Sequence, residues 1–287
     1  MPAESLESVR GRPTPPLRAY VAWYVGYCQT GSAPGRHRGL PSPYVTFILT
    51  LSDPLEIAVH SDPRQRPEVY ETLLGGLHTT PAIISHPGRQ SGIQLALEPL
   101  GARALLGLPA AELANLDVPA SDVLGPLAAE LYARIRLAPS WPQRFAILDE
   151  LLLRRLQPER SAPQAIAAAW CALKQSGGAL SIPDLADSIG WSSRHLAERF
   201  RGELGLSPKA VARVIRFDRA RRQLGHQVAS GAPCSLADLA ARYGYYDQAH
   251  LAREFRDLAG CSPSQWVAEE FRNIQAFAER DLADWSV

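Results

Sequence analysis

The sequence predicts an α+β chain, in which a small β-rich N-terminal domain with trailing helices is followed by an all-α domain. Three observations support this prediction. Short apolar runs separated by turn residues occupy positions 17 to about 100, and segments rich in Ala, Leu and Arg replace them from residue 101 onward. In addition, a segment that begins at Ser181 recurs at Ser235. At 287 residues the chain is long enough for two such domains.

Three runs in the N-terminal part have the pattern of β-strands. Residues 44–50 are rich in β-branched and aromatic side chains and lie between Pro43 and Pro54. Residues 55–59 and 93–97 alternate with period two. Because prolines interrupt the sequence between these runs, we expect short strands joined by turns.

The trailing helices are predicted over 101–114, 123–137 and 141–156. The last of them carries an apolar stripe at steps of three and four residues, formed by Phe145, Leu148, Leu152 and Leu156. Its three leucines either pack inside the domain or form a dimer seam. The polar segment 157–163 contains two prolines and is the predicted linker. The predicted domains therefore span 1–158 and 163–270.

The repeat in the second domain extends over two helices and the turn between them. Residues 181–190 match 235–244, residues 195–201 match 250–256, and residues 205–208 match 260–263. The offset is 54 residues up to the first matched glycine and 55 afterwards. The second copy therefore has one extra residue in its turn.

Each copy has the features of a helix-turn-helix unit. A serine, Ser181 or Ser235, stands at the N-cap of the first helix, with an aspartate three residues later as a partner of the capping-box type. A glycine, Gly190 or Gly244, then ends that helix where a left-handed residue is needed. The second helix is held down by apolar residues at i and i+4, which are Leu196 and Phe200 in one copy and Leu251 and Phe255 in the other. An all-α tandem helix-turn-helix domain is the expectation.

The opposite face of each second helix carries side chains suited to contacts with duplex DNA. Arg pairs with guanine, Gln with adenine, and Glu accepts a hydrogen bond from cytosine. The predicted base contacts are Arg194, Glu198, Gln248, His250 and Arg253. The predicted phosphate contacts, which position the protein without specifying sequence, are Ser192, Ser193, Arg201 and Arg256.

A helix between the copies is predicted from Ser207, with proline as its first helical residue, to Leu224. Its length of about seventeen residues, roughly 25 Å, would separate two recognition helices along the DNA by about one turn, roughly 34 Å. Its arginines either contact the DNA backbone or form a solvated face, and they are Arg213, Arg216, Arg219, Arg221 and Arg222.

Residues 190–200, and still more 244–255 with 260–263, resemble the tandem helix-turn-helix domain of the AraC/XylS family of transcription regulators. The resemblance covers roughly 164–270. It implies base contacts at Arg194, Ala197 and Glu198 in the first copy, and at Gln248, Ala249, His250 and Arg253 in the second. Alanines at 197 and 249 and an acid at 198 depart from that pattern, so the first copy is expected to anchor more than it discriminates. Residues 93–115 resemble the β-rich N-terminal domains of a subgroup.

Charge supports a polyanionic partner for the second domain. Residues 160–267 contain 14 Lys and Arg against 9 Asp and Glu, a difference of +5 in a chain whose net charge is +1. Residues 268–287 contain 2 Arg against 5 acids, so 271–287 is predicted to be an acidic tail. The chain has no apolar run near eighteen residues and no recognisable signal peptide, which predicts a cytoplasmic protein.

The remaining patterns concern histidines, aromatic residues and catalytic motifs. His37, His60, His78 and His86 lack metal-ligand spacing, so we expect surface or turn histidines and no metal. Tyr20, Trp23, Tyr24 and Tyr27 have the spacing of one helix face, which favours core packing over an effector pocket. Catalytic and cofactor motifs are missing from the sequence, so we expect neither an enzyme nor a cofactor.

The resulting hypothesis is a transcription regulator that contacts two successive major-groove segments of double-stranded DNA, with an N-terminal sensor or dimerisation domain. A small-molecule effector, a second copy of the chain and RNA polymerase are further candidate partners, and a membrane is not. The alternative is a ligand- or protein-binding adaptor whose helical repeat no longer recognises DNA sequence.

Overall fold

The computed structural model describes residues 5–233 and 235–270. Its N-terminal part contains two antiparallel sheets, with strand orders β1-β2-β9-β4-β7-β10 and β3-β8-β5-β6. The strands are β1 (Ser5–Gly11), β2 (Val21–Thr30), β3 (Gly35–Gly39), β4 (Val45–Thr50), β5 (Leu55–Val59), β6 (Glu68–Tyr70), β7 (Thr72–Gly75), β8 (Ala82–His86), β9 (Gln90–Leu97) and β10 (Asp117–Pro119). The three predicted strands are present as β4, β5 and the second half of β9.

The six-stranded sheet is covered on both faces. Successive side chains of a strand point to opposite sides, so neighbouring residues of β4 show what covers each face. Along β4, Val45, Phe47 and Leu49 are fully buried in the cluster that contains the helices following the sheet. Ile48 instead belongs to a smaller apolar cluster with residues of the four-stranded sheet. The two sheets therefore lie face to face, with the helices on the outer face of the larger one.

The helices after the sheets are α1 (Ala102–Leu106), α2 (Ala120–Leu124), α3 (Pro126–Leu137) and α4 (Trp141–Arg155). The prediction of one helix over 101–114 is wrong, because Gly107 ends α1 with a φ of +85°. A short 3-10 turn, Ala110–Leu113, follows Pro109. In α4, Phe145, Leu148 and Leu152 are buried in the main core, so this stripe packs inside the chain rather than forming a dimer seam.

The C-terminal part is helical, with α5 (Gln164–Gln175), α6 (Ile182–Ser188), α7 (Ser193–Leu204), α8 (Pro208–Ser230), α9 (Leu236–Arg242), α10 (Gln248–Ala259) and α11 (Pro263–Glu270). The connecting helix α8 has 23 residues, roughly 34 Å, and is longer than predicted. It continues through the buried Gly225 and ends at Gly231, whose φ is +66°. The predicted acidic tail 271–287 lies outside the described residues.

The hydrophobic core is not divided at the predicted linker. One cluster runs from the six-stranded sheet through α4 and α5 to Leu196 and Phe200 of α7. A second cluster joins the far part of α8 to α9, α10 and α11. Gln157 in the linker donates its amide hydrogen to the carbonyl oxygen of Ala104, at 2.9 Å. The linker is therefore packed against α1.

Two predictions about the N-terminal part are wrong. Tyr20, Trp23, Tyr24 and Tyr27 do not form a helix face, since β2 contains the last three and pairs with β1 and β9 over its length. His37 and His60 are 4% and 3% exposed, not surface residues. His60 is hydrogen-bonded through Nδ1 to Asp117 at 2.9 Å, and the rings of His37 and His86 lie 5.7 Å apart.

The part of the chain that the structure describes contains neither a group of metal ligands nor a helix that could cross a membrane. Within residues 5–233 and 235–270, no three His, Cys, Asp or Glu side chains are grouped as ligands for a metal ion. No helix in the same residues is long and apolar enough to cross a membrane.

Candidate nucleic-acid interface

The first helix of each repeat is capped as its sequence predicts. The hydroxyl oxygen of Ser181 accepts a hydrogen bond from the amide of Asp184, and Ser235 does the same for Asp238, each at 3.2 Å. These bonds satisfy amide groups that a helix start leaves without a partner in the helix. The matching caps confirm that α6 and α9 begin at equivalent points of the two copies.

The turn in each copy depends on a glycine with a left-handed backbone. Gly190 has a φ of +72° and Gly244 a φ of +73°, values that other residues adopt only with strain. The chain then enters the second helix through a new cap. Ser192 accepts from the amide of His195 at 3.2 Å, and Asp247 accepts from the amide of His250 at 2.7 Å. Both predicted recognition helices, α7 and α10, therefore start at a fixed position.

Apolar residues fix which face of each recognition helix points outward. Leu196, Phe200 and Leu204 of α7 are fully buried, and Leu251 and Phe255 hold α10 in the same way. The ring of Phe255 also meets the ring of Phe217 of α8 edge to face, with centroids 5.0 Å apart. The polar residues on the opposite side of each helix are left for solvent or a ligand.

The structure leaves eight of the nine predicted contact residues exposed. In α7 and its cap these are Ser192, Ser193, Arg194, Glu198 and Arg201, and in α10 they are Gln248, Arg253 and Arg256. Arg194, Glu198 and Arg201 share one side of α7, as Arg253 and Arg256 share one side of α10. The alanines at 197 and 249 differ in exposure, because Ala249 is exposed and Ala197 is half-buried.

His250 differs from the other predicted contacts. It is half-buried, its Nδ1 accepts a hydrogen bond from the amide of Tyr246 at 3.2 Å, and its ring meets Tyr245 edge to face at 5.3 Å. In a neutral imidazole whose Nδ1 accepts, Nε2 carries the proton. His250 therefore stabilises the turn through one nitrogen and keeps a donor at the other.

The arginines of α8 mostly serve the protein itself. Arg213 donates to Glu254 of α10 at 3.0 Å and to Asp257 at 2.9 Å. Arg221 and Arg222 donate to Asp218 at 2.7 and 2.8 Å. Neither sequence-based alternative, backbone contact or solvated face, describes these three. Arg213 holds α10 against α8 and neutralises the buried Glu254, whereas Arg221 and Arg222 neutralise the buried Asp218 within α8.

Two further arginines, which the sequence did not single out, line a cleft at α7: Arg199 belongs to α7 itself and Arg160 to the linker. A cleft of about 630 Å³ separates α7 from α1 and the linker, and Arg160 and Arg199 line it together with Glu198 and Gly202. Arg160 lies 33 positions before Ser193, the first residue of α7, so only the packing of the linker on α1 brings it there.

A small cavity of about 70 Å³ lies between the two sheets. Ser61, His78 and Asp117 contribute polar groups to its wall. Arg221 of α8 and Trp266 of α11 line the same cavity, so both parts of the chain meet there. Tyr20, Trp23, Tyr24 and Tyr27 do not line it, and Tyr24 is instead buried with its hydroxyl donating to Asp149 at 2.9 Å.

Two family models match the chain. Residues 185–269 match a helix-turn-helix domain, and residues 9–119 match a domain family of unknown function, DUF6597. The first match covers α7, α8, α9, α10 and most of α6 and α11. The second covers the two sheets from the end of β1 to β10.

Two relatives carry names that concern regulation. The chain is 25% identical over 229 residues, 79% of its length, to the probable thc operon regulatory protein of Rhodococcus erythropolis. It is 25% identical over 107 residues, 37% of its length, to an uncharacterized HTH-type transcriptional regulator of Staphylococcus aureus. The chain spans 63% of the first relative and 14% of the second.

Solved structures of ToxT from Vibrio cholerae have the same fold. One aligns with a TM-score of 0.50 at 8% identity, over 92% of this chain and 98% of the other. Another, of ToxT from strain O395 bound to (E)-4-(8-methylnaphthalen-1-yl)but-3-enoic acid, aligns with a TM-score of 0.51 at 9% identity, over 92% of this chain and 99% of the other. The helix-turn-helix match and the relatives named as regulators agree with the resemblance of the tandem helix-turn-helix repeat to that of the AraC/XylS family of transcription regulators.

Proposed function

We propose that the chain binds specific sites in double-stranded DNA, with α7 and α10 entering two successive major-groove segments. In this proposal residues 1–158 form a sensor or dimerisation domain and residues 163–270 form the DNA-binding domain. Arg194 and Glu198 contact bases from α7, and Gln248, His250 and Arg253 do so from α10. Ser192, Ser193, Arg201 and Arg256 contact phosphates.

The observation that carries the proposal is the paired exposure of two capped helices built in the same way. Each is fixed by buried apolar residues on one side, and each presents arginine on the other. The charged residues of α10 differ in their surroundings. Glu254 points inward, is 4% exposed and is paired with Arg213, whereas Arg253 and Arg256 are exposed. A helix face that leaves cations in solvent beside a packed face suits a polyanionic groove.

The two helices are proposed to contribute unequally. The outward face of α10 carries Arg253 at its centre, and the corresponding residue of α7 is Glu198. A carboxylate in the major groove can accept a hydrogen bond from cytosine but is repelled by the phosphates. The second copy therefore supplies most of the discrimination, and the first supplies more of the anchoring.

The cavity between the sheets supports a small-molecule effector as a further part of the proposal. Its wall combines apolar side chains such as Ile57 and Ile84 with the polar groups of Ser61 and His78. At about 70 Å³ it suits a small effector rather than a drug-sized one, for which pockets hold roughly 300–1,000 Å³. A thermal-shift screen of small metabolites, with the cavity-filling variant Ile57→Phe as control, tests this part. A second copy of the chain and RNA polymerase stay predictions from the sequence.

The DNA-binding proposal is tested with the full chain and duplexes enriched by it from a random pool. Arg253→Ala should weaken binding to the enriched duplex by about 1–3 kcal/mol and relax selection at one base pair. Arg66→Ala is the matched control, since Arg66 is exposed and precedes β6 at the sheet edge opposite the one that α11 contacts. Unchanged affinity of Arg253→Ala would overturn the assignment of α10. A wild-type chain that enriches no duplex would favour the adaptor alternative.

A further inference from the structure

We propose that Arg160 of the linker and Arg199 of α7 bind DNA phosphates beside the first recognition helix. The DNA contact then extends beyond the helix-turn-helix repeat to the segment that connects it to the β-rich domain. This inference rests on the proposed DNA binding, and it adds a phosphate-binding surface that the repeat alone does not contain.

The cleft between α7 and the linker provides the geometry. Arg103, Gly107 and Arg160 form one wall, and Glu198, Arg199 and Gly202 belong to the other. Glu198 and Gly202 lie one helical turn apart, on the side of α7 opposite the buried Phe200. The cleft therefore opens beside the face that would enter the DNA groove, rather than behind it.

The dimensions of DNA place phosphates at such a cleft. The major groove is about 12 Å wide and an α-helix with its side chains about 10–12 Å across, so a helix in the groove leaves little space to either phosphate strand. Protein that flanks the helix on one side then meets the backbone on that side. For α7 the flanking protein is the linker turn Pro158–Arg160, which packs on α1.

The charges in the cleft match this partner. Three arginines and two glutamates line it. Arg103 is paired with Glu203 at 2.5 Å, whereas Arg160 and Arg199 are exposed and form no ion pair with the residues that the structure describes. Arginine donates two parallel hydrogen bonds to a phosphate, which gives it an advantage over lysine at such a position.

Gly202 keeps the cleft open. It lies inside α7, where glycine lowers helix stability relative to alanine. A β-carbon at this position would have no atom within 4 Å, so packing does not require the glycine. The corresponding residue of α10 is Asp257, which pairs with Arg213. The absence of a side chain at 202 lets the DNA backbone approach the cleft.

The linker also connects DNA contact to the position of the β-rich domain. Gln157 donates to the carbonyl oxygen of Ala104 at 2.9 Å, and the Arg155 side chain donates to the carbonyl oxygens of Leu105 and Leu106. Arg160 is thus attached to α1 through a segment with several hydrogen bonds. The position of α1 therefore sets the position of this proposed phosphate contact.

The experiment measures the affinity of the full chain for its enriched duplex, extended on both flanks, over a series of KCl concentrations. Arg160→Ala and Arg199→Ala should each reduce the slope of log K against log [KCl] by about 1, and should weaken specific and non-specific duplexes alike. Arg160→Lys should retain most of the slope because it keeps the charge. Arg66→Ala should leave the slope unchanged.

Several outcomes would overturn the inference. If both alanine variants have the same salt slope as the wild type, while Arg253→Ala still weakens binding, the proposed phosphate contacts are wrong. The proposed DNA-binding function would stand in that case. A wild-type chain without salt-dependent DNA binding would instead refute the proposed function itself. Inorganic phosphate that raises the melting temperature of the wild type but not of Arg160→Ala, with DNA slopes unchanged, would assign the cleft to a free anion and also overturn it.

Discussion

The guanidinium group of Arg103 forms two hydrogen bonds with the carboxylate of Glu203, from Nε to Oε1 at 2.5 Å and from Nη2 to Oε2 at 3.0 Å. The pair joins α1, which follows the sheets, to the end of the first recognition helix. Glu203 is buried, with 7% of its side chain exposed, whereas the Arg103 side chain is 38% exposed. Without the pair, the carboxylate would be left buried without its charged partner, whereas the guanidinium group would still be in contact with water.

Removing the donor should be costly for that reason. Arg103→Ala leaves a buried carboxylate without its two donors, and we expect it to lower the free energy of unfolding by about 1–3 kcal/mol in urea titrations. Arg134→Ala is the matched control, because Arg134 binds Glu150 in the same two-pronged way but both side chains are more than a third exposed. It should cost less than about 1 kcal/mol. If both variants lower the free energy of unfolding by the same amount, the burial of Glu203 does not raise the cost of losing its partner.

Three glycines around α7 should respond differently to alanine. Gly190 and Gly205 have φ values of +72° and +77°, but a β-carbon at Gly190 has no atom within 4 Å, whereas one at Gly205 would lie 2.1 Å from the β-carbon of Ala114. Gly190→Ala should therefore cost about 1–2 kcal/mol from backbone strain alone, and Gly205→Ala more. Gly202→Ala should stabilise the chain by roughly 0.5–1 kcal/mol.

Thermal or urea unfolding without DNA measures all three. A stabilising effect at Gly190, or a loss at Gly202, would contradict the assignment of left-handed strain to the first and open space to the second. The Gly205 variant also tests the contact between the repeat and the β-rich domain, because the residue that it would displace precedes β10.

The helix-turn-helix units were predictable because their signals are local. Each signal acts within a few residues: the serine caps, the turn glycines Gly190 and Gly244, and the apolar pairs of α7 and α10. Each signal also occurs in both copies of the repeat. The arrangement of arginines around them was not predictable. Arg103 and Glu203 are 100 residues apart, and the linker that carries Arg160 reaches α7 only because it packs on α1.

In the N-terminal part, tertiary pairing overrode local patterns. Strand β1 was not predicted, and it exists through its register with β2 from Ser5 against Thr30 to Gly11 against Tyr24. The aromatic spacing in β2 imitates a helix face, but Tyr24 and Tyr27 are buried by neighbouring elements on a strand. The burial of His37 and His60 likewise depends on neighbouring strands that cover them. The spacing of histidines along the chain carries no information about those strands.

Two exposed residues of α10 should separate base recognition from backbone contact. Gln248→Ala should cost about 1–3 kcal/mol on the preferred duplex and little on a duplex changed at the single base pair that it recognises. Arg256→Ala should weaken both duplexes alike and reduce the salt slope by about 1. Fluorescence anisotropy with the two duplexes provides the measurement. The reverse assignment would follow if Arg256→Ala, and not Gln248→Ala, changed the ratio of the two affinities.

The buried His37 should make the stability of the fold dependent on pH. Burial, and then the charge of the neighbouring His86, lower the pKa of His37 from its usual 6.5 to about 3. Between these values the unfolded chain binds a proton that the folded chain does not, so stability rises with pH. The stabilisation is complete above about pH 6.5 and is lost as the pH falls toward 3, by up to about 1.4 kcal/mol per pH unit from this group.

Urea unfolding at pH 7 and at pH 5 measures this dependence. His37→Gln should flatten it, because glutamine does not titrate, and the remaining slope then belongs to groups such as His86, whose pKa burial also lowers. Asp62 does not interfere, since hydrogen bonds from Arg64 lower the pKa of Asp62 from 3.8 to about 2 and its contribution is lost only below this range. A variant whose stability falls between pH 7 and pH 5 as steeply as that of the wild type would show that His37 is protonated in the folded chain.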